Sequence, residues 1–226
     1  MKFASFKKRV QLSKEDICRE LFIENRDRIK IKKETVAVKN LVKIFDAALS
    51  ISNEKGFSAM SLRDLSAETG LSMGALYSYI SSKDDLLDMI QKQGRIVIMK
   101  VLMEHLAGIE DPREKLKTGI QIHLYLSEVM QTWFYFSYME TKNLNRVQHK
   151  KAIESELFTE QIFIDIIEAG ISSGVFRRVD SMLTAAVLKA MLQDWYLKRW
   201  KYDGRRISVE GYAQFLMDFT ASHLFQ

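Results

Sequence analysis

Apolar side chains recur along this chain at three- and four-residue intervals almost from end to end, with short gaps between the periodic stretches. Residues 1–12 carry no sustained period and read as a flexible arm. From residue 14 to 30, Ile17, Cys18, Leu21, Phe22 and Ile29 mark one face of an amphipathic helix, with Ser13 as its cap and Asp16 in its first turn. Between Val38 and Asn53, the positions Leu41, Val42, Ile44, Phe45, Ala48, Leu49 and Ile51 describe a helix buried on a broad side, stopped at Lys55-Gly56-Phe57. Ser61 caps a short helix, and Asp64 at its third position completes a capping box. Thr69-Gly70-Leu71 makes a tight turn, Ser72 caps a further short helix through Tyr79, and Ser81-Ser82-Lys83-Asp84-Asp85 opens a long one.

Helical periodicity continues over Leu86–Leu106, then from Asp111-Pro112 to Val129 and through an aromatic segment from Gln131 to Thr141. Val147–Ala169 follows, closed by Gly170 and Gly174. Asp180 or Ser181 caps a helix through Tyr202, and Ser208 caps the last, through Leu224. One proline and ten glycines in 226 residues leave little punctuation for many short strands. The fold class expected is all-α, a helix-turn-helix module followed by a helical bundle.

Composition narrows the function classes. The single cysteine, Cys18, excludes an internal disulfide framework and a multi-cysteine zinc site, and its place on an apolar face points to an inert buried thiol. The first thirty residues lack an apolar run of signal-peptide length, and the most apolar stretch, Trp133–Met139, is far shorter than the roughly 20 residues of a membrane span. A cytoplasmic protein without a membrane partner is expected. The net charge of +5 is unevenly spread. Residues 1–40 hold 12 basic and 6 acidic side chains, whereas residues 41–90 hold 4 and 7. A basic leader beside a folded module suits nucleic acid, since each cation that neutralises a phosphate releases a counterion; a merely solvated extension is the alternative.

In a helix-turn-helix module the first residues of the second helix reach base edges in the major groove. Here those are Ser72, Met73, Gly74 and Ala75, with Tyr77, Ser78 and Tyr79 further along. Gly74 and Ala75 permit close backbone approach, Met73 and Ala75 offer apolar contact to thymine methyls, and the hydroxyls can bond phosphates or bases. No Arg or Lys lies between Leu71 and Ser82, so attraction to phosphate has to come from Lys39, Lys43, Arg63, Lys83 and the leader up to Lys33. Direct readout is then modest, with more reliance on DNA shape.

The run from Ala47-Ala48 through Lys55-Gly56-Phe57, Ser61-Leu62-Arg63-Asp64-Leu65, Gly70-Leu71-Ser72 and Gly74-Ala75-Leu76-Tyr77-Ser78-Tyr79 to Ser82-Lys83-Asp84-Asp85-Leu86-Leu87 resembles the N-terminal domain of TetR-family transcriptional regulators. Ser66, Thr69 and Ile80 depart from it at packing positions. The resemblance implies a homodimer on palindromic operator DNA, with the residues matched by Tyr77, Tyr79 and Lys83 on the phosphate backbone. It also implies a DNA-binding domain (36–87) and an effector-binding and dimerisation domain (88–226), and it says nothing of the basic extension (1–35) ahead of them.

Two features of the last region fit that implication. Leu183, Val187, Met191 and Trp195 on one helix, with Tyr212, Phe215 and Phe219 on the last, make apolar surfaces suited to a twofold four-helix interface. Met99, Met103, His123, Tyr125, Trp133, Phe136, Met139 and Phe163 are candidates to line a pocket for a small hydrophobic effector. A weaker similarity, over Gly170–Phe176 and Trp195-Tyr196-Leu197-Lys198-Arg199-Trp200, to members that sense acyl-CoA thioesters implies an acyl-CoA or a fatty acid.

Enzyme readings find little. Gly170-Ile171-Ser172-Ser173-Gly174 has the spacing of a nucleophile elbow but follows a helix where that motif needs a strand. The four histidines form no H-E-x-x-H, and no phosphate-cradling glycine loop is present, so neither a catalytic residue, a metal nor a cofactor is expected. The competing reading is a lipid- or small-molecule-binding helical protein without a DNA role.

Overall fold

The computed structural model describes residues 1–10 and 14–225, with Asn143 by its backbone alone. The cap expected at Ser13 lies outside the described residues. The helices are α1 (Phe3–Arg9), α2 (Lys14–Glu24), α3 (Glu34–Lys55), α4 (Leu62–Thr69), α5 (Met73–Leu76), α6 (Lys83–Leu106), α7 (Pro112–Val129), α8 (Gln131–Met139), α9 (Arg146–Ser172), α10 (Ser181–Leu197), α11 (Arg199–Gly204) and α12 (Val209–Leu224). A 3-10 turn, Glu140–Asn143, follows α8. Among the described residues the one extended pairing outside helices is an antiparallel bridge between Phe176 and Phe225, whose rings stack 5.3 Å apart. The protein is all-α.

Two compact units share the chain. The helix-turn-helix unit takes in residues 14–97 and 132–152, and the bundle unit takes in 1–10, 98–131 and 153 onward. α6 and α9 contribute residues to both. In the helix-turn-helix unit, Leu41, Ile44 and Ala48 of α3 are fully buried, and α2 lays Cys18, Leu21 and Phe22 into the same core. Burial, followed by the nearby Asp46 and Glu15 charges, pushes the Cys18 thiol up to about 12, so it is the inert core thiol its position implies. The capping box at Ser61 forms as expected, with the Asp64 amide donating to Ser61 Oγ and the Ser61 amide donating to Asp64 Oδ2.

α8 belongs to this unit as well. Trp133 lies across α6 where Gly94 leaves room: a Cβ on Gly94 would fall 1.8 Å from the indole. The indole Nε1–H donates to the Ile90 carbonyl at 3.0 Å. Phe136 meets Phe57 edge-on, and the Glu140 carboxylate accepts from the Phe57 amide at 3.0 Å.

In the bundle unit, Asp111, Asp180 and Ser208 cap α7, α10 and α12 as the sequence predicts, each accepting from a backbone amide two or three residues on. α7 is the central helix, with Ile122, Leu124 and Leu126 fully buried. The sequence reading of residues 1–12 as a flexible arm does not hold for residues 3–9. Phe6 is 0% exposed, against Tyr125 and His105, and Phe3 meets the edge of Tyr125. The Tyr125 hydroxyl donates to the Met1 carbonyl, and the Phe3 amide donates to Glu210. A two-turn helix is too short to declare itself by periodicity, and tertiary burial of two aromatics is what stabilises it.

Phe6→Ala removes a fully buried ring, for which a cost of about 3 kcal/mol or more is expected. Thermal unfolding should show a melting temperature lowered by several degrees, with Lys7→Ala unchanged; an arm without a docking role would leave both variants at the parent value.

Candidate nucleic-acid interface

The turn between α4 and α5 is built from local chemistry. Gly70 takes the left-handed conformation (φ 69°) that ends α4, and Thr69 and Ser66 tie it down, Thr69 Oγ1 donating to the Leu65 carbonyl and Ser66 Oγ to that of Leu71. Ser72 caps α5 by accepting from the Ala75 amide at 3.2 Å. The expected helix from Ser72 to Tyr79 is shorter in the structure. α5 is one turn, Met73–Leu76, and Tyr77–Tyr79 continue as tighter turns in which the Ser78 amide donates to Ala75 and the Tyr79 amide to Leu76.

Burial sorts the candidate contact residues. Leu76, Tyr79 and Ile80 face inward, and Ser72, Gly74 and Tyr77 face solvent, Tyr77 being 47% exposed. Met73, Ala75 and Ser78 are half-buried, and Ser78 Oγ donates back to the Gly74 carbonyl. A Cβ on Gly74 would meet nothing within 4 Å. This glycine is therefore not demanded by the chain's own packing, and its surface is open to a neighbour's close approach. Arg63 is exposed on the first turn of α4, and Lys39 and Lys43 are exposed on α3.

Two expected phosphate contacts are placed differently. Tyr79 is 3% exposed, and its hydroxyl accepts from Asn40 Nδ2 at 2.8 Å, so the ring is a core residue holding α3 to the turn after α5. The Lys83 ammonium donates to the carbonyls of Phe57, Ser58 and Met60 at 2.9, 3.0 and 3.0 Å and sits 5.0 Å from the centre of the Phe57 ring. An ammonium has three donors, and all three are occupied at the link between α3 and α4. Its task here is to hold together the loop between α3 and α4. Sequence spacing identifies a lysine at this position but not that the chain folds three carbonyls around it.

The helix-turn-helix geometry and its outward Ser72, Gly74 and Tyr77 agree with what the chain resembles. The family model described as "Bacterial regulatory proteins, tetR family" matches residues 44–90, and the one described as "Tetracyclin repressor-like, C-terminal domain" matches 110–222, half of the chain by itself. The protein belongs to the TetR family of transcriptional regulators. Among sequence relatives, the HTH-type transcriptional repressor KstR2 of Rhodococcus jostii (strain RHA1) is 25% identical over 174 residues, covering 76% of this chain and 84% of that one. The crystal structure of the TetR-family regulator PfmR from Thermus thermophilus superposes with a TM-score of 0.72 at 27% identity, over 81% of this chain and 99% of PfmR. AibR, solved in complex with isovaleryl coenzyme A and operator DNA, has the same fold, with a TM-score of 0.71 at 19% identity over 80% and 97% of the two chains. As a member of this family the protein is a regulator and not an enzyme. The Gly170–Gly174 spacing falls at the end of α9 and the turn after it, with no strand leading into it.

The effector candidates divide between the two units. Trp133, Phe136 and Met139 belong to the helix-turn-helix unit, with Phe136 in its core, whereas Met99, Met103, His123, Tyr125 and Phe163 belong to the bundle. Apolar periodicity finds buried faces but not which unit a helix joins. Within the bundle, Met99 is half-buried, Met103 is exposed and Tyr125 is engaged by α1. His123 and Phe163 are buried with α7 and α9 in contact, a Cβ on Gly119 lying 3.1 Å from the Phe163 ring. Sequence reading missed the polar group beside them. Lys189 of α10 is 3% exposed, its ammonium donating to Thr159 Oγ1 at 2.8 Å and pairing with Glu156 at 3.3 Å. Gln193 Nε2 also donates to Glu156, at 2.8 Å. Burial pulls the Lys189 pKa down; burial, and then the Lys189 charge, holds His123 well below the usual histidine range and so neutral. The signal was available: Ala185, Leu188, Lys189, Leu192 and Tyr196 share one buried stripe, and a lysine in such a stripe is expensive unless it has a purpose.

The expected interface residues also divide. Leu183 and Val187 of α10 and Phe215 and Phe219 of α12 are exposed, Leu183 and Phe215 at 64% each, one helical turn apart on their helices. Met191 and Tyr212 are half-buried and joined by the Tyr212 hydroxyl donating to the Met191 carbonyl at 2.7 Å. Trp195 is instead fully internal. Its indole N–H donates to Glu128, Arg199 lies 4.6 Å above its ring, and Tyr202 and Tyr212 pack on it. The physical reason is that a helix apolar on two sides puts one of them into its own core, and Trp195 is on that side.

Lys83→Met keeps the methylene stem and strips the donors from three carbonyls, so a stability loss of about 1–3 kcal/mol is expected. Chemical denaturation reads it. An unchanged midpoint combined with weakened DNA binding would return Lys83 to the phosphate-contact role.

Proposed function

We propose that the protein is a cytoplasmic repressor that binds palindromic operator DNA as a homodimer and releases it when a small acyl-containing effector, an acyl-CoA or a fatty acid, occupies the bundle. The observation that carries the DNA role is Gly74: an outward position on α5 where a side chain would meet nothing of the chain itself. A major groove about 12 Å wide accepts a helix, and a bare backbone at its leading turn lets that helix sit deep. Ser72 and Tyr77 supply hydroxyls beside it, and Arg63, Lys39 and Lys43 supply charge. The residues that read the groove lie within 36–87, and the effector and dimerisation functions lie from 88 onward.

Two copies are needed because four residues of helix read too little sequence alone, and half-sites one turn apart, roughly 34 Å, require a fixed twofold spacing. The exposed Leu183, Val187, Phe215 and Phe219 support that dimer, since neighbouring apolar turns on adjacent helices are costly to leave in water. The effector reading is supported by Lys189, Thr159 and His123 beside Phe163: a buried cation and polar handles among apolar walls suit an acyl chain that ends in a carboxylate or thioester. AibR, of the same fold, was solved with isovaleryl coenzyme A. The effector acts by binding the DNA-incompetent state more tightly, since a ligand with equal affinity for both states shifts nothing.

Selection from a randomised duplex pool with the full chain should recover a palindrome. On that duplex Gly74→Ala, whose Cβ meets no atom of the fold within 4 Å, should weaken binding tenfold or more without lowering the melting temperature. Tyr77→Phe, losing one hydrogen bond worth about 1 kcal/mol in each of the two protomers, should weaken it roughly thirtyfold. Recovery of no duplex would favour the effector-binding protein without a DNA role.

An acyl-CoA series from isovaleryl to palmitoyl, added to the complex, should contain a member that releases the duplex and raises the melting temperature of the free protein. Lys189→Met should lose both responses. A series without effect on either readout would remove the acyl effector.

A further inference from the structure

The leader ahead of α3 carries the chain's densest positive charge, and most of the fold's need for that charge is met before residue 29. Lys14 pairs with Asp46 at 2.8 Å, Arg19 with Asp16 and with Glu34, and Arg28 with Asp85. The pairs with Asp46, Glu34 and Asp85, with Cys18, Leu21 and Phe22 in the core, fasten α2 and the turn after it to the rest of the helix-turn-helix unit. Asp85 is itself held, accepting from the amide and the hydroxyl of Ser81 at 2.8 and 2.9 Å.

Past Arg28 the chain runs without helix to Lys33, and its side chains alternate. Ile29 is buried and Ile31 packs against the same core, whereas Lys30 and Lys32 are exposed. Alternation of this kind fixes which way the lysines point, because in an extended segment neighbouring side chains take opposite sides. The segment is also fixed in place. The Lys30 amide donates to the Ser78 carbonyl at 2.9 Å, one residue beyond the outward Tyr77. Lys30 and Lys32 form no ion pair among the described residues, so their charge neutralises nothing in the fold.

We infer that Lys30 and Lys32 are a second DNA-binding element, a short cationic strand pinned alongside α5 that grips the phosphate backbone next to the groove α5 enters. This rests on the DNA-binding reading above and assigns a role to the extension. It answers a deficit in the reading helix. With no Arg or Lys between Leu71 and Ser82, and with Lys83 committed to carbonyls, α5 has no cation of its own to draw phosphate in. Duplex DNA is the partner the placement favours over an acidic protein surface, because Ser78 ties the lysines to the element that reads bases. Lysine contacts of this sort position without specifying sequence.

The test uses the full chain and the duplex it selects, with binding measured from 50 to 300 mM KCl. Each phosphate neutralised contributes about 0.9 to the slope of log K against log salt. With two lysines lost from each of two protomers, Lys30→Gln with Lys32→Gln should lower that slope by about 3.6 and weaken binding at 0.15 M salt on the order of a hundredfold or more, equally for the selected and a scrambled duplex. Melting temperature should not move. Lys30→Arg with Lys32→Arg should retain the parent slope. Lys7→Gln with Lys8→Gln, the same charge change in α1, should leave it unaltered. A parent-like slope in the Gln pair, or an equal fall in the Lys7 and Lys8 pair, overturns the inference while leaving the regulatory reading standing. A parent chain that selects no duplex overturns both.

Discussion

A helix of four residues has no stability of its own in water, since nucleation costs more than one turn returns. α5 is such a helix, and the outward Ser72, Gly74 and Tyr77 keep their places only because its other side is locked down. Leu76, Tyr79 and Ile80 enter the core. Ser72 caps the front, Gly70 turns the chain into it, and the Ser78 carbonyl is taken by Lys30 behind. Anchoring from three directions makes a rigid reading head out of a segment that would otherwise be coil. Rigidity is what binding needs, because a head that had to be ordered on the duplex would lose that ordering energy from its affinity.

The same frame accounts for the two residues that do something other than what their positions suggest. Tyr79 and Lys83 sit where contact with phosphate would be natural, yet one holds α3 through Asn40 and the other ties the loop between α3 and α4 with three hydrogen bonds. Both act on DNA recognition indirectly, by fixing the elements that carry the exposed groups. In the proposed complex, direct attraction to phosphate falls to Arg63, to Lys39 and Lys43 of α3 and to the leader.

Much of this is legible from residue order. The caps at Ser61, Ser72, Asp111, Asp180 and Ser208 and the tight turn at Gly70 follow from local rules, and the structure forms them where those rules put them, whereas the helix expected over 14–30 ends at Glu24 and the one expected through Tyr202 breaks at Lys198. What stays hidden depends on distance in sequence. α1 is held by Tyr125 and Glu210, more than a hundred residues away. α8 joins α6 because Gly94 admits an indole. Nothing beside Lys189 in the chain says that α9 brings Thr159 and Glu156 to it, and nothing beside Trp195 says that Glu128 comes from α7 to meet its indole. Periodicity reports that a face is buried but is silent on what buries it.

Native-state amide hydrogen exchange of the free protein, read residue by residue, bears most directly on the preformed reading head. The amides of Leu76, Tyr79 and Ile80, and the Lys30 amide bonded to Ser78, should exchange as slowly as those of Leu41 and Ile44 in α3, because all would open only when the unit unfolds. Exchange at those four amides orders of magnitude faster than in α3 would mean that α5 orders only on DNA, and the account of a rigid head would be wrong.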